Sequence, residues 1–417
     1  MGKRQQSRAR VDEDGRLVLP ADVTARYGLN PGTSVCIDEA ESGFRLRRPA
    51  THLAKVHVEP TNQCNLACRT CIRNTWDEPL GQMSDATFAR IVEGLQALSP
   101  PPTVFFCGFG EPLSHPNIVE MVAETKSLGT RVELVTNGTL LTEDLSRRLI
   151  AAGLDLLWVS LDGARPESYA DVRLGAALPD VLTNVARFRD ARRPSHRPTP
   201  QIGIVFVAMK RNIADLPAVL GLGRRLRATR YLVTNVLPYT DDMQAEVLYT
   251  RALSALTYIR SQWVPHLALP RTDFNEATCR PFYQVINSGR NVSFAGHNLG
   301  NVNDHCPFIE SGTIAIGWDG SASPCLPLLH NHVSYLHQRR RVSRRYVIGN
   351  VTERELSNLW NDPDHLAFRQ RVQTFDFSPC TFCGGCELAE ANEEDCLGNG
   401  FPTCGGCLWA QGVIQCP

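Results

Sequence analysis

Cys64-Asn65-Leu66-Ala67-Cys68-Arg69-Thr70-Cys71 spaces three thiols as Cys-x3-Cys-x2-Cys, directly behind the apolar run Val56–Glu59. Four thiolates are the ordinary way to saturate a four-iron cluster, so three on one short loop can hold three irons and leave the fourth open. A zinc knuckle is the competing reading, but zinc wants four ligands close together.

From Ala54 onward, strand-like runs alternate with helical ones. Strands are expected at Val56–Glu59, Val104–Cys107, Arg131–Thr136, Leu156–Leu161, Ile202–Ala208 and Arg230–Leu237. Helices fit Asp85–Leu98, Ile118–Leu128, Thr142–Ala152, Leu178–Arg189 and Ala214–Leu226. Such alternation implies a parallel sheet closed or partly closed into a barrel, whose site is built at the C-terminal ends of the strands. Turn-type sequences stand at those ends in order. They are Cys107-Gly108-Phe109-Gly110-Glu111-Pro112, Thr136-Asn137-Gly138, Ser160-Leu161-Asp162-Gly163 and Met209-Lys210-Arg211-Asn212. Each alone is an ordinary turn former; four in succession behind the cysteine loop form a pattern.

The cysteine loop and these strand ends resemble the radical S-adenosylmethionine (SAM) superfamily. The resemblance implies a partial (β/α)6 barrel in which the methionine amino and carboxylate groups of SAM chelate the open iron of a [4Fe–4S] cluster. An electron then cleaves SAM to methionine and a 5′-deoxyadenosyl radical. It implies Cys64, Cys68 and Cys71 as cluster ligands, and Gly108, Gly110, Glu111, Pro112, Thr136, Asn137, Ser160, Asp162 and Asn212 as SAM-binding positions. Phe109 lengthens the family's Gly-Gly turn by one residue.

A second cysteine region begins at Cys306. Cys306-x13-Gly320-x4-Cys325, with Trp318-Asp319-Gly320 as a turn and Ile348–Val351 followed by a helix over Glu355–Trp360, looks like the opening of a SPASM domain. Cys380, Cys383, Cys386, Cys396, Cys404, Cys407 and Cys416 follow, with gaps that depart from the usual SPASM tail. These nine cysteines match one or two auxiliary [4Fe–4S] clusters with a thiol to spare, or zinc ribbons, since Cys-x2-Cys pairs suit both metals. Cys36 and Cys107 read as core residues and Cys279 as a buried structural thiol. Tyr239, Cys279 and His297 are the remaining candidates for a barrel-facing role, with no catalytic acid, base or relay assigned.

Residues 8–48 read as a small β unit. A turn at Asp12–Gly15 separates two short strands, a helix over Ala21–Tyr27 is stopped by Gly28, and strands follow at Ser34–Asp38 and Phe44–Arg47. "GRLVLPADV" and "YGLNPGTSV" resemble the swapped-hairpin domain of AbrB/MazE-type proteins, which implies dimerisation and leaves open DNA binding or simple docking. The chain thus divides into residues 1–50, a radical SAM core at 51–240, a mostly helical connector at 241–305 and a SPASM-like auxiliary-cluster domain at 306–417. Ala191–Pro200 and the five arginines of Arg339–Arg345 read as solvated loops.

Composition narrows the function classes. Lys+Arg and Asp+Glu balance at 43 each, which removes a global electrostatic case for nucleic acid or an anionic membrane. The absence of an export signal and of a membrane-length apolar stretch points to the cytoplasm, where thiols stay reduced and fifteen cysteines call for metal. The head, "EPTNQCNLACRTCIRNTWDEPLGQMS" and "PTCGGCLWAQGVIQCP" together resemble the radical SAM maturases associated with tungsten-cofactor oxidoreductases of the aldehyde:ferredoxin oxidoreductase type. That implies a reductant such as ferredoxin or flavodoxin, and a protein or cofactor substrate. The alternatives are a peptide-modifying radical SAM/SPASM enzyme, an iron–sulfur redox-sensing DNA-binding regulator and a zinc-stabilised scaffold.

Overall fold

The computed structural model describes residues 8–29, 31–32, 35–40, 43–192, 200–254, 266–270, 272–286, 291–294, 297–298, 305–383 and 386–417. In the head, β1 (Arg10–Val11) and β2 (Leu17–Val18) form a hairpin around Asp12, whose Oδ1 accepts from Asp14 N and Arg16 N. Helix α1 (Ala21–Tyr27) ends at Gly28, where φ is +63°. A second hairpin joins β3 (Ile37–Ala40) to β4 (Gly43–Leu46), so the third strand starts later than expected, and Ser34 lies outside the described residues. Helix α1 buries no side chain, and Val11, Tyr27, Ile37 and Phe44 are exposed. Cys36 is exposed too and belongs to no core.

The body is one nine-stranded sheet. Its first six strands are β5 (Lys55–Val58), β6 (Thr103–Phe106), β7 (Val132–Thr136), β8 (Leu156–Ser160), β9 (Gln201–Ala208) and β10 (Arg230–Asn235), parallel and in sequential order. The crossovers carry α2 (Asp85–Gln96), α3 (Ile118–Ser127), α4 (Glu143–Ala151), the short α5 (Pro166–Val172) with α6 (Leu178–Ala191), and α7 (Leu216–Arg225). Local chemistry fixes several ends: Ser84 Oγ caps α2 by accepting from Thr87 N, and Thr142 Oγ1 caps α4 by accepting from Leu145 N.

Buried on both faces, β5 to β9 read as near-continuous apolar runs, whereas the edge strand β10 is largely exposed. Val56, Val58, Phe106, Leu157 and Val159 pack outward under the helices, whereas Phe105, Cys107, Leu156 and Trp158 belong to an inner core shared with the C-terminal region. Cys107 is buried, as expected of a core thiol.

Between the barrel and the second cysteine region lie α8 (Thr250–Ser254), β11 (His266–Leu269), α9 (Glu276–Ile286), β12 (Asn291–Phe294) and β13 (His297–Asn298). The three strands form their own small sheet, so among the described residues the connector combines its helices with strands. Val, Leu and Phe at alternate positions of these runs carry the strand signal. Cys279 is exposed on α9 rather than buried, and the His297 side chain lies outside what is described.

The C-terminal region extends the body's sheet. After α10 (Pro307–Glu310), β14 (Thr313–Ile316) pairs parallel with β5, then β15 (Ser321–Ser323) and β18 (Gly349–Asn350) continue the sheet antiparallel. Strands β16 (His332–Leu336) and β17 (Arg339–Ser343) make a hairpin, and α11 (Leu356–Trp360), α12 (Pro363–Thr374) and the single turn α13 (Cys380–Cys383) follow. The Arg339–Arg345 stretch is therefore largely strand, and Arg341 is held inside: its Nε donates to Ala389 O and its Nη1 to Gly406 O. Cross-strand pairing claims those residues despite their charge. Among the described residues, no helix is long and apolar enough to cross a membrane.

Candidate active site

The loop after β5 carries the three motif cysteines into a cleft at the C-terminal ends of the strands. Cys64, Cys68 and Cys71 line it together with Gly108, Gly110, Glu111, Thr136, Asn137 and Ser160. Pro112, Asp162 and Asn212 do not line it.

Donors converge on the sulfurs. Leu66 N lies 3.4 Å from Cys64 Sγ, Asn137 Nδ2 3.9 Å from the same atom, and Arg173 Nη1 3.7 Å from Cys68 Sγ. Burial pushes the Cys64 and Cys68 thiols above their ordinary range, so it takes a bound cation to keep them as thiolates. Among the described residues no three Cys, His, Asp or Glu groups converge as they would on a single ion. A cluster asks for less, because its cysteines bind separate irons and stand around a space. Three thiols on one cleft, with N–H groups aimed at Cys64 and Cys68, fit such a cluster.

Several residues expected at SAM also hydrogen-bond the loops to one another. Glu111 is 2% exposed; its carboxylate accepts from Thr136 Oγ1 (2.7 Å), Asn137 N (2.7 Å) and Leu113 N (3.1 Å), binding the loop after β6 to the loop after β7. Burial raises its pKa, and the bond from Asn137 N leads those that offset part of the rise. Asp162, fully buried, accepts from Val207 N (2.7 Å) and from Arg173 Nε (2.6 Å). Asn212 donates to Asp162 O and Val207 O and accepts from Met209 N, fixing the loop after β9.

Gly108 and Gly110 are required by the protein itself. A Cβ on Gly110 would stand 2.1 Å from Thr61 O and 2.6 Å from Gln63 O, and one on Gly108, at φ +125°, 2.4 Å from Glu59 Cγ.

Sequence reading missed Arg173. It closes α5, is 9% exposed, and lines the cleft beside Cys68. Burial opposes its charge, but the Asp162 carboxylate and then the Cys68 thiol outweigh that and hold the guanidinium above its usual range. The unread short helix Pro166–Val172, with proline at its first position, was the available signal. The Glu59–His330–Glu78 triad was also missed. His330 Nε2 meets Glu59 Oε2 at 2.7 Å and Nδ1 meets Glu78 Oε2 at 2.6 Å, with the ring stacked on Trp76. Glu59 Oε1 in turn accepts from Phe109 N, so the triad backs the cleft. Burial disfavours the His330 charge, yet the bonds to Glu59 and Glu78 push its pKa up to about 9. Tyr239 is buried, and its hydroxyl donates to Arg69 O and accepts from Asn74 Nδ2, which makes it a brace for the cysteine loop.

The apolar side of the cleft is supplied from far away: Trp409 and Ile414 lie on its wall beside Leu237. Asn235 Nδ2 donates to Val413 O and Gln415 N to Thr234 Oγ1, both at 2.8 Å, docking residues 413–415 on the end of β10.

Comparison with known proteins gives the same assignment. The radical SAM superfamily profile matches residues 58–215, and the SPASM iron–sulfur cluster-binding domain matches residues 306–387. A Pyrococcus furiosus protein, the tungsten-containing aldehyde ferredoxin oxidoreductase cofactor-modifying protein, is 28% identical over 369 residues, covering 87% of this chain and 96% of its own. An S-adenosylmethionine-dependent heme synthase of Methanosarcina barkeri is 27% identical over 289 residues, covering 66% and 78%. The fold is similar to that of Streptococcus suis SuiB crystallised with S-adenosylmethionine, with a TM-score of 0.51 at 14% identity, covering 82% of this chain and 72% of that one. The radical SAM domain implies a [4Fe–4S] cluster and SAM, and the SPASM domain implies auxiliary iron–sulfur clusters. The chain carries both domains and is a radical SAM enzyme of the SPASM-containing kind.

Proposed function

We propose that this enzyme cleaves SAM reductively and uses the radical to mature a tungsten-containing oxidoreductase of the aldehyde:ferredoxin type, by modifying its cofactor or its polypeptide. When bound on Cys64, Cys68 and Cys71, a reduced cluster supplies the electron for that cleavage. The chain's own residues hold and shield the reactant. Arg173, already ion-paired to Asp162 and next to Cys68, presents a fixed cation to a carboxylate, with Ser160 on the same cleft. Glu111 and Asn137 keep two strand-end loops in register around the cysteine loop. Leu237, Trp409 and Ile414 give the cleft a dry wall, which keeps water from a carbon radical.

The observation that carries the reading of the chemistry is the gathering of three motif cysteines, Arg173 and Ser160 on one cleft. The substrate reading rests on similarity to the Pyrococcus furiosus protein over nearly its whole length. Anaerobically reconstituted protein with dithionite and SAM should yield 5′-deoxyadenosine, and Cys68→Ala should not. Co-expression with a tungsten oxidoreductase should change the mass of its cofactor or of a tryptic peptide. Formation of 5′-deoxyadenosine with neither mass change would retain the SAM chemistry and remove this substrate, leaving a ribosomally made peptide as the one to try. We also propose that the head pairs with a second copy of itself, because it exposes apolar side chains and α1 buries none.

A further inference from the structure

We infer that Cys306, Cys325, Cys404 and Cys407 together close one four-cysteine iron–sulfur site, and that Cys416 is not among its ligands. The inference rests on the SPASM reading and goes past it by assigning ligands, two of them beyond residue 387, where the SPASM match ends. These four line one cavity. Cys306, Cys325 and Cys404 are buried and Cys407 is part-buried.

Cys306 and Cys325 each stand at the start of a helical turn, before α10 and before Leu326–Leu328, and Cys407 N donates to Cys404 O at 3.0 Å within one tight turn. The free N–H groups of such turns are what anionic sulfurs need in an apolar cavity. A cation answers them: Arg341 lines the same cavity and is tied by its bond to Gly406 O at 2.8 Å.

Two other thiols sort elsewhere. Cys380 reaches the cavity wall, but Ser378 ties it to Cys396: Cys380 N donates to Ser378 O at 2.8 Å and Ser378 Oγ lies 2.9 Å from Cys396 Sγ, so we assign it to a second set. Cys416 lines neither cavity; its Sγ accepts from Trp409 Nε1 at 3.3 Å. Trp409 stands on the wall of both the SAM cleft and the cysteine cavity, as does Leu237. Cys416 is therefore a positioning residue for that indole. With all four cysteines holding a cluster, no iron would be left for a substrate ligand, and the chemistry it would supply is electron exchange, with Trp409 between it and the SAM cleft.

Iron and acid-labile sulfide counts on the full chain, reconstituted anaerobically without SAM, test the assignment independently of whether 5′-deoxyadenosine forms. Cys306→Ala, Cys407→Ala and the double variant should each lose the same complement, about four irons per chain, while Cys416→Ala keeps the full count. A double variant that loses about twice as much, a Cys416→Ala protein short of iron, or zinc without sulfide in this position would overturn it. Should the alanine variants elute as aggregates, serine variants in a Cys64→Ala/Cys68→Ala/Cys71→Ala background answer the same question by electron paramagnetic resonance. The signal should shift at 306, 325, 404 and 407 and stay put at 416; a shift at 416, or none at 407, would count against the assignment.

Discussion

Arg173 donates through Nε to Asp162 Oδ2 at 2.6 Å while its Nη1 sits 3.7 Å from Cys68 Sγ, so one guanidinium joins the strand-end carboxylate to the cysteine loop. Asp162 is fully buried, and removing its partner strands a charge at a cost of about 3–5 kcal/mol. Arg173→Gln should thus lower the urea midpoint, and Asp162→Asn added to it should restore part of the loss. In both variants, 5′-deoxyadenosine formation at limiting SAM should fall about tenfold, one missing charge-assisted contact, with iron content unchanged at the first site.

Glu111→Gln keeps the shape of a side chain that accepts three hydrogen bonds but turns one acceptor into a donor facing a donor. A loss of about 2–3 kcal/mol is expected, the scale of hydrogen bonds to a buried charge. Thermal unfolding of the iron-free protein reads it directly; an unchanged midpoint would mean the carboxylate is not spent as described.

Cys404-Gly405-Gly406-Cys407 offers a contrast between neighbours. A Cβ on Gly405 would stand 1.9 Å from Ser378 O, a backbone atom that cannot step aside, whereas one on Gly406 would meet the tip of Arg341. Gly405→Ala should therefore lose more iron than Gly406→Ala on reconstitution. The reverse order would refute the packing.

The raised pKa of His330 fixes the sign of a pH effect. Protonation is favoured by the fold, so the stabilisation is complete below about 6.5, the ordinary histidine value, and is lost as pH rises through about 9. Wild-type stability should fall between those limits relative to His330→Gln, whose profile lacks that component. Parallel pH profiles of the two proteins in urea unfolding would exclude the charged triad.

Ile37 and Phe44 are 56% and 60% exposed on the second head hairpin. Ile37→Glu/Phe44→Glu should convert a dimer to a monomer in sedimentation, with the iron content of the body intact. A wild-type monomer would end the pairing proposal.

Much of this was legible before the structure because local chemistry and tertiary demand agree. Five of the six parallel strands announce themselves by runs buried on both faces, and the Asp12–Gly15 turn and the Ala21–Tyr27 helix by turn and stop residues. The cysteine spacing picked out three thiols that share one cleft. What escaped reading was what depends on distant partners. Arg341 belongs to a charged stretch that looks solvated until the carbonyls of Ala389 and Gly406 are placed beside it. Arg173 draws its meaning from Asp162 and Cys68. Glu111, Asp162 and Asn212 stood where ligands were expected, but their hydrogen-bonding capacity goes to neighbouring loops, which spacing cannot reveal. The exposed Cys36 and Cys279 show the limit of treating a free thiol as a core residue by default.

Strand β14 lies against β5, the strand that delivers the cysteine loop. The auxiliary-cluster region is thus no detachable accessory bolted to a self-sufficient catalyst. Cutting the chain before Cys306 would turn β5 into a raw edge, with Val56 and His57 deprived of their neighbours Ile314 and Ala315. Two segments that look modular along the sequence are mechanically one wall.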